Sequence, residues 1–97
     1  MHFDIEAVDT GLPLDARAYL ESRLFSALSE PGPAVFAVSG VVSAAGADHI
    51  RCRIRVLLRA GGEILVERRG PQLYMTIDRV AEAAAAALGP RIGEIVA

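Results

Sequence analysis

The chain has 97 residues, 53% of them hydrophobic, with no tryptophan, and its formal net charge is −2. That content excludes a disordered chain, and the negative sum argues against a generic nucleic-acid binder. One cysteine, Cys52, rules out an internal disulfide or a multi-thiolate metal site, and His2 and His49 belong to no spaced ligand set, so neither metal nor cofactor is expected.

In chain order, the N-terminal stretch MHFDIEAVD has neither a basic segment nor a long apolar run, so no signal peptide is read there. Phe3, Ile5 and Ala7 alternate with His2, Asp4 and Glu6, the pattern of a half-buried strand. Asp9-Thr10-Gly11 predicts a turn, and Pro13 suits the first turn of a helix, where its missing N–H costs nothing. Ala16, Leu20, Leu24, Ala27 and Leu28 form its apolar stripe, with Arg17 and Glu21 placed to pair on the other side. Pro31-Gly32-Pro33 ends this helix. Val35 to Ala44, rich in valine, reads as an interior strand. The uncharged stretch from Pro31 to Ala47 is too broken by glycine, proline and serine to span a membrane.

A turn at Ala45–Asp48 leads into a third strand, His49-Ile-Arg-Cys-Arg-Ile-Arg-Val-Leu-Leu-Arg59. Its arginines at 51, 53 and 55 share one face, while Ile50, Cys52, Ile54 and Val56 share the other. Cys52 therefore reads as a small buried hydrophobe. Ala60-Gly61-Gly62-Glu63 predicts a hairpin into a fourth strand, Ile64 to Arg68. Gly70-Pro71 then opens a last helix with the stripe Leu73, Ile77, Val80, Ala81, Ala84 and Leu88. Gly89-Pro90 is expected to end or kink it, leaving Arg91 to Ala97 as a short turn or tail. The fold class expected is α+β, in the order β-α-β-β-β-α. A four-stranded mixed sheet carries two helices packed on one face, in a single domain spanning residues 1–97.

Positive charge is confined to one segment. Residues 48–70 carry Arg51, Arg53, Arg55, Arg59, Arg68 and Arg69 against Asp48, Glu63 and Glu67, a surplus of +3. The row at 51, 53 and 55 has two readings. It is the solvated face of an antiparallel strand, with Glu67 and Glu63 as candidate cross-strand partners, or it is a surface for phosphates or an acidic partner. No nucleophile motif, phosphate loop or inward carboxylate pair occurs, so the chain is not read as an enzyme.

Gly61-Gly62-Glu63-Ile64-Leu65-Val66-Glu67-Arg68-Arg69, followed by Leu73-Tyr74-Met75-Thr76-Ile77-Asp78, resembles the ribosome hibernation-promoting factors, also called ribosome-associated inhibitor or protein Y. Phe3-Asp4-Ile5-Glu6 and Tyr19-Leu20-Glu21-Ser22-Arg23-Leu24 fit the same family's first strand and helix. The resemblance implies the β-α-β-β-β-α fold and a cytoplasmic, stress-responsive bacterial protein. It would bind the small ribosomal subunit or its RNA and regulate translation without catalysis. It also implies that Arg23, Arg69 and Arg79 stand where basic residues are expected. With the strand arginines, the candidate RNA-binding set is Arg23, Arg51, Arg53, Arg55, Arg68, Arg69 and Arg79.

The chain departs from the family in two ways. Its last helix has no basic residue between Arg79 and Arg91, and Gln72 occupies a position that is often acidic. The chain is also expected to lack the second, dimerising domain of longer members. The alternative expectation is therefore a diverged protein-interaction module of the same fold that has lost RNA binding. It would self-associate as a homodimer through the alanine-rich last helix and the apolar tail Ile92, Ile95 and Val96.

Overall fold

The computed structural model describes residues 2–29 and 34–96, with side chains described as far as Arg91. Its elements are β1 (His2–Val8), α1 (Leu14–Ser29), β2 (Val35–Ala44), β3 (Ile50–Leu58), β4 (Glu63–Gly70) and α2 (Leu73–Val96). The strands lie in the order β1-β2-β3-β4, with β1 parallel to β2 and the other two pairings antiparallel. The expected α+β class, element order and mixed four-stranded sheet are all present.

The helix α1 begins where proline permits it. Pro13 accepts the first helical bond, from the Arg17 N–H at 2.9 Å. Ala16, Leu20, Leu24 and Leu28, each four residues on from the last, are fully buried. Four-residue spacing keeps them on one face, and each buried leucine contributes about 1.5–3 kcal/mol relative to an exposed one. The expected Arg17–Glu21 pair does not form. The Arg17 guanidinium donates instead to the Ile5 carbonyl on β1 and ties the helix to that edge strand. A buried or half-buried backbone carbonyl needs a donor, and this demand outweighs a weak solvated ion pair. Pro31-Gly32-Pro33 lies outside the described residues.

The interior position of β2 follows from its apolar sequence, since its inward residues Val35, Val38 and Val42 are almost wholly buried. Near its start the register slips between Val35 and Ala37, which leaves Phe36 bulged out of the ladder and exposed. The hairpin between β3 and β4 turns at Gly61 and Gly62, whose φ angles of +98° and +88° lie in the left-handed region open to glycine.

The core is one cluster between the helices and the inner sheet face. Ile5, Leu20, Leu24, Val38, Cys52, Ile54, Ile77, Val80 and Leu88 are among its members. Cys52 is fully buried there, as the alternation in β3 requires. Of the two expectations at Gly89-Pro90, an end or a kink, the end is not met, because α2 runs through Pro90 to Val96. Proline removes the N–H that would bond the Ala86 carbonyl. Its ring also strikes the Cβ of the preceding residue, but Gly89 has none, so the helical path stays open.

Candidate functional site on the open face of the sheet

Strand alternation sends every second residue away from the helices, and the ladder registers align these residues in rows across the sheet. One row runs Asp4, Ser39, Arg55, Leu65, and the next runs Glu6, Val41, Arg53, Glu67. Flanking them are His2, Ala37, Leu57, Glu63 on one side and Val8, Ser43, Arg51, Arg69 on the other. The face is therefore acidic along β1, small and nearly neutral along β2, and rich in arginine along β3 and β4.

The arginines are not left to solvent alone. Arg53 Nε donates to Glu67 Oε1 at 3.0 Å, and Arg55 Nε donates to Glu63 Oε2. Glu67 also stands 3.8 Å from both Arg51 and Arg69, close enough for charge attraction but too long for hydrogen bonds. Arg51 Nε is buried with no hydrogen-bond partner among the described residues. The hydrogen bond from Arg53 holds the Glu67 carboxyl below its usual 4.5. Partial desolvation opposes that shift, while the charges of Arg53, Arg51 and Arg69 reinforce it. Arg53 and Arg55 still expose 60% and 54% of their side chains, so they are paired yet reachable. With Ser39, Val41, Leu65 and Glu67 they border a shallow groove of about 600 Å³.

The seven candidate arginines do not share one surface. Arg51, Arg53, Arg55 and Arg69 stand on the open face. Arg68 lies opposite Cys52 on the other side of β4, exposed, and donates to the Glu67 carbonyl at 2.7 Å. Arg79 is exposed on α2. Arg23 is engaged between the helices, where its Nε donates to Asp78 Oδ1 at 3.0 Å.

That last contact belongs to a cluster that sequence reasoning did not assemble. The Tyr19 hydroxyl donates to the same Asp78 oxygen at 2.6 Å, and the Tyr74 ring meets the Tyr19 ring edge-on at 5.1 Å. The bond to Asp78 pushes the Tyr19 hydroxyl above its usual 10.0, helped by desolvation and by the aspartate's charge. The signal was present in the Tyr74/Ile77/Asp78 motif, but its partners lie 55 and 59 residues away. A second missed group sits at the bulge. There the Arg59 guanidinium lies 5.7 Å from the Phe36 ring centroid, and His2 meets the same ring edge-on at 6.2 Å.

The alanine run of α2, expected as a contact surface, is divided between the core and the outside. Ala81 and Ala84 are buried in the core, and Ala86 is exposed. The side chains of Ile92, Ile95 and Val96 lie outside the described residues. Among the described residues, no three His, Cys, Asp or Glu side chains gather as a metal site would require. No described helix is long and apolar enough to cross a membrane.

No family model matches the chain, and no curated protein matches it by sequence. Solved structures do. A ribosomal subunit interface protein from Coxiella burnetii superposes with a TM-score of 0.85 at 14% identity, over 94% of this chain and 97% of that one. The N-terminal domain of Thermus thermophilus Protein Y gives a TM-score of 0.73 at 25% identity, over 89% and 90%. The resemblance carried by Gly61–Arg69 and by Tyr74, Ile77 and Asp78 is borne out in these neighbours, whose fold is the fold of this chain.

Proposed function

We propose that this chain, built on the hibernation-factor fold, is a cytoplasmic, non-enzymatic, ribosome-associated protein that regulates translation by binding the small subunit or its RNA. The observation that carries this reading is the near end-to-end likeness to a ribosomal subunit interface protein. Fold alone does not fix function, so the reading also needs groups that can hold phosphate. Arg68 and Arg69 at the end of β4, and Arg79 in α2, are exposed and supply them. Arg23 is held by Asp78 with 39% of its side chain exposed, which makes it the weaker candidate.

Co-sedimentation with 30S and 70S ribosomes across a salt series tests this directly. Pelleting is expected at low salt and should be lost when Arg68, Arg69 and Arg79 are changed together to alanine. A chain that stays in the supernatant at the lowest salt would overturn the reading.

A second reading is the diverged interaction module that self-associates. It is favoured by Glu63 and Glu67, which break the arginine row into ion pairs where a polyanion-binding surface would be continuous.

A further inference from the structure

We infer that the open face of the sheet is the surface on which a second copy of this chain docks, as an isologous dimer with its two-fold axis lying along β2. The inference rests on the self-associating reading, and it moves the contact from α2 to the sheet. Its basis is the arrangement of charge across three strands. Asp4 and Glu6 on β1 share rows with Arg55 and Arg53 on β3, and β2 separates them by one strand on each side. Rotation about an axis parallel to β2 keeps each row in place and exchanges β1 with β3. Asp4 of one copy then faces Arg55 of the other, Glu6 faces Arg53, and each pair occurs twice.

The centre of the contact suits close approach. Along the axis, Ala37, Ser39, Val41 and Ser43 of β2 would meet their own counterparts, and none is larger than valine. Strands paired this way run nearly parallel, which is the aligned arrangement that twisted sheets adopt when stacked. A polyanion fits the face less well, because Asp4, Glu6, Glu63 and Glu67 offset Arg51, Arg53, Arg55 and Arg69 charge for charge. Like-charge juxtaposition repels wrong partners, whereas an acidic β1 strip and a basic β3 strip flanking β2 are complementary to their own copies.

Three strands at about 4.8 Å spacing and seven residues at about 3.3 Å rise give a flat footprint of roughly 300 Å² per copy, so the dimer is weak and salt-sensitive. Sedimentation equilibrium of the full chain, without ribosomes, should show dimer forming between about 10 µM and about 1 mM at low salt and dissociating as salt rises.

Two charge-reversed variants make the test specific. Asp4→Arg with Glu6→Arg leaves both halves basic, and Arg53→Glu with Arg55→Glu leaves both acidic. Each should be monomeric alone, and an equimolar mixture should dimerise, because every contact is then between opposite charges. Circular dichroism checks that each is folded. Should either reversal fail to fold, the milder Asp4→Asn with Glu6→Gln variant is expected to weaken dimerisation several-fold. A monomeric wild type throughout this range, or a mixture that stays monomeric, overturns the proposal. Variants that dimerise alone as well as the wild type does would also overturn it, placing the contact elsewhere while leaving self-association intact. A monomeric wild type whose ribosome pelleting depends on Arg53 and Arg55 would instead assign the face to RNA.

Discussion

Gly40 marks the point where the sheet has no room for a side chain. A Cβ there would stand 2.9 Å from Cδ1 of Ile5 and 2.9 Å from Cδ1 of Ile54, its neighbours on either strand. Gly40→Val should therefore cost roughly 1–3 kcal/mol, the usual penalty for overpacking, and Gly40→Ala less, because both isoleucine tips can shift. Urea unfolding measures both, and an unchanged midpoint for the valine variant would show slack where the structure has none. On the neighbouring strand, Cys52 answers to burial alone, which pushes its thiol up to about 11. In the folded protein it should resist a thiol reagent at pH 8 and react once the chain is unfolded in denaturant. Rapid labelling of the native state would contradict the packing. Period-two alternation made the placement of Cys52 legible in the sequence. The tight fit at Gly40 was not, because it depends on which residues the neighbouring strands bring alongside.

Helices and strands are joined by polar contacts that no local pattern announces. Asp78 accepts from both Tyr19 and Arg23 of α1, so one carboxylate on α2 holds the two helices in register. Asp78→Ala would leave two donors without their acceptor. Because Arg23 and Asp78 are 39% and 38% exposed, water replaces part of the loss, and the cost should be about 1 kcal/mol. Thermal unfolding of Asp78→Ala beside Arg23→Ala tests this, and a destabilisation confined to the arginine variant would refute the shared role. Spacing within one helix does not show the Arg23 contact, because its partner Asp78 lies 55 residues on. The ends of β3 and β4 differ from expectation by a residue or two. The helix α2 runs on through Pro90, where an end or a kink is expected; Gly89 before it has no Cβ for the proline ring to strike. Between β3 and β4 the glutamate pairings were legible, because hairpin register follows from the turn. Glu67 gains from its arginines only when ionised. Its folded carboxyl sits below the ordinary 4.5, so its contribution is complete above that pH and fades as pH falls through the lower, folded value. Glu67→Gln should accordingly flatten the acid limb of the stability profile below about pH 4.5. Acid unfolding parallel to that of the wild type would exclude the pairing.

For the molecule as a whole, the β-α-β-β-β-α order was readable because each element carries its own period and its own breakers. The distribution of function was less readable, because charge counted along the chain differs from charge mapped onto faces. The +3 surplus of residues 48–70 divides in the fold. Arg59 turns toward Phe36, Arg68 leaves for the other side of β4, and Glu63 and Glu67 sit among the remaining arginines. Arg68, Arg69 and Arg79 are exposed and make no hydrogen bond to a carboxylate among the described residues, in a protein whose net charge is −2. Each phosphate neutralised adds about −0.7 to −0.9 to the slope of log affinity against log salt. Three contacts predict a slope of about −2 to −3 for ribosome binding, whereas all seven candidate arginines would give about −5 to −6. A titration of ribosome binding between low and physiological salt separates the two. The steep slope would mean that the arginine row leaves its glutamates to meet RNA. The shallow one would leave that row free for the second copy of the chain, with Asp4 and Glu6 as its partners.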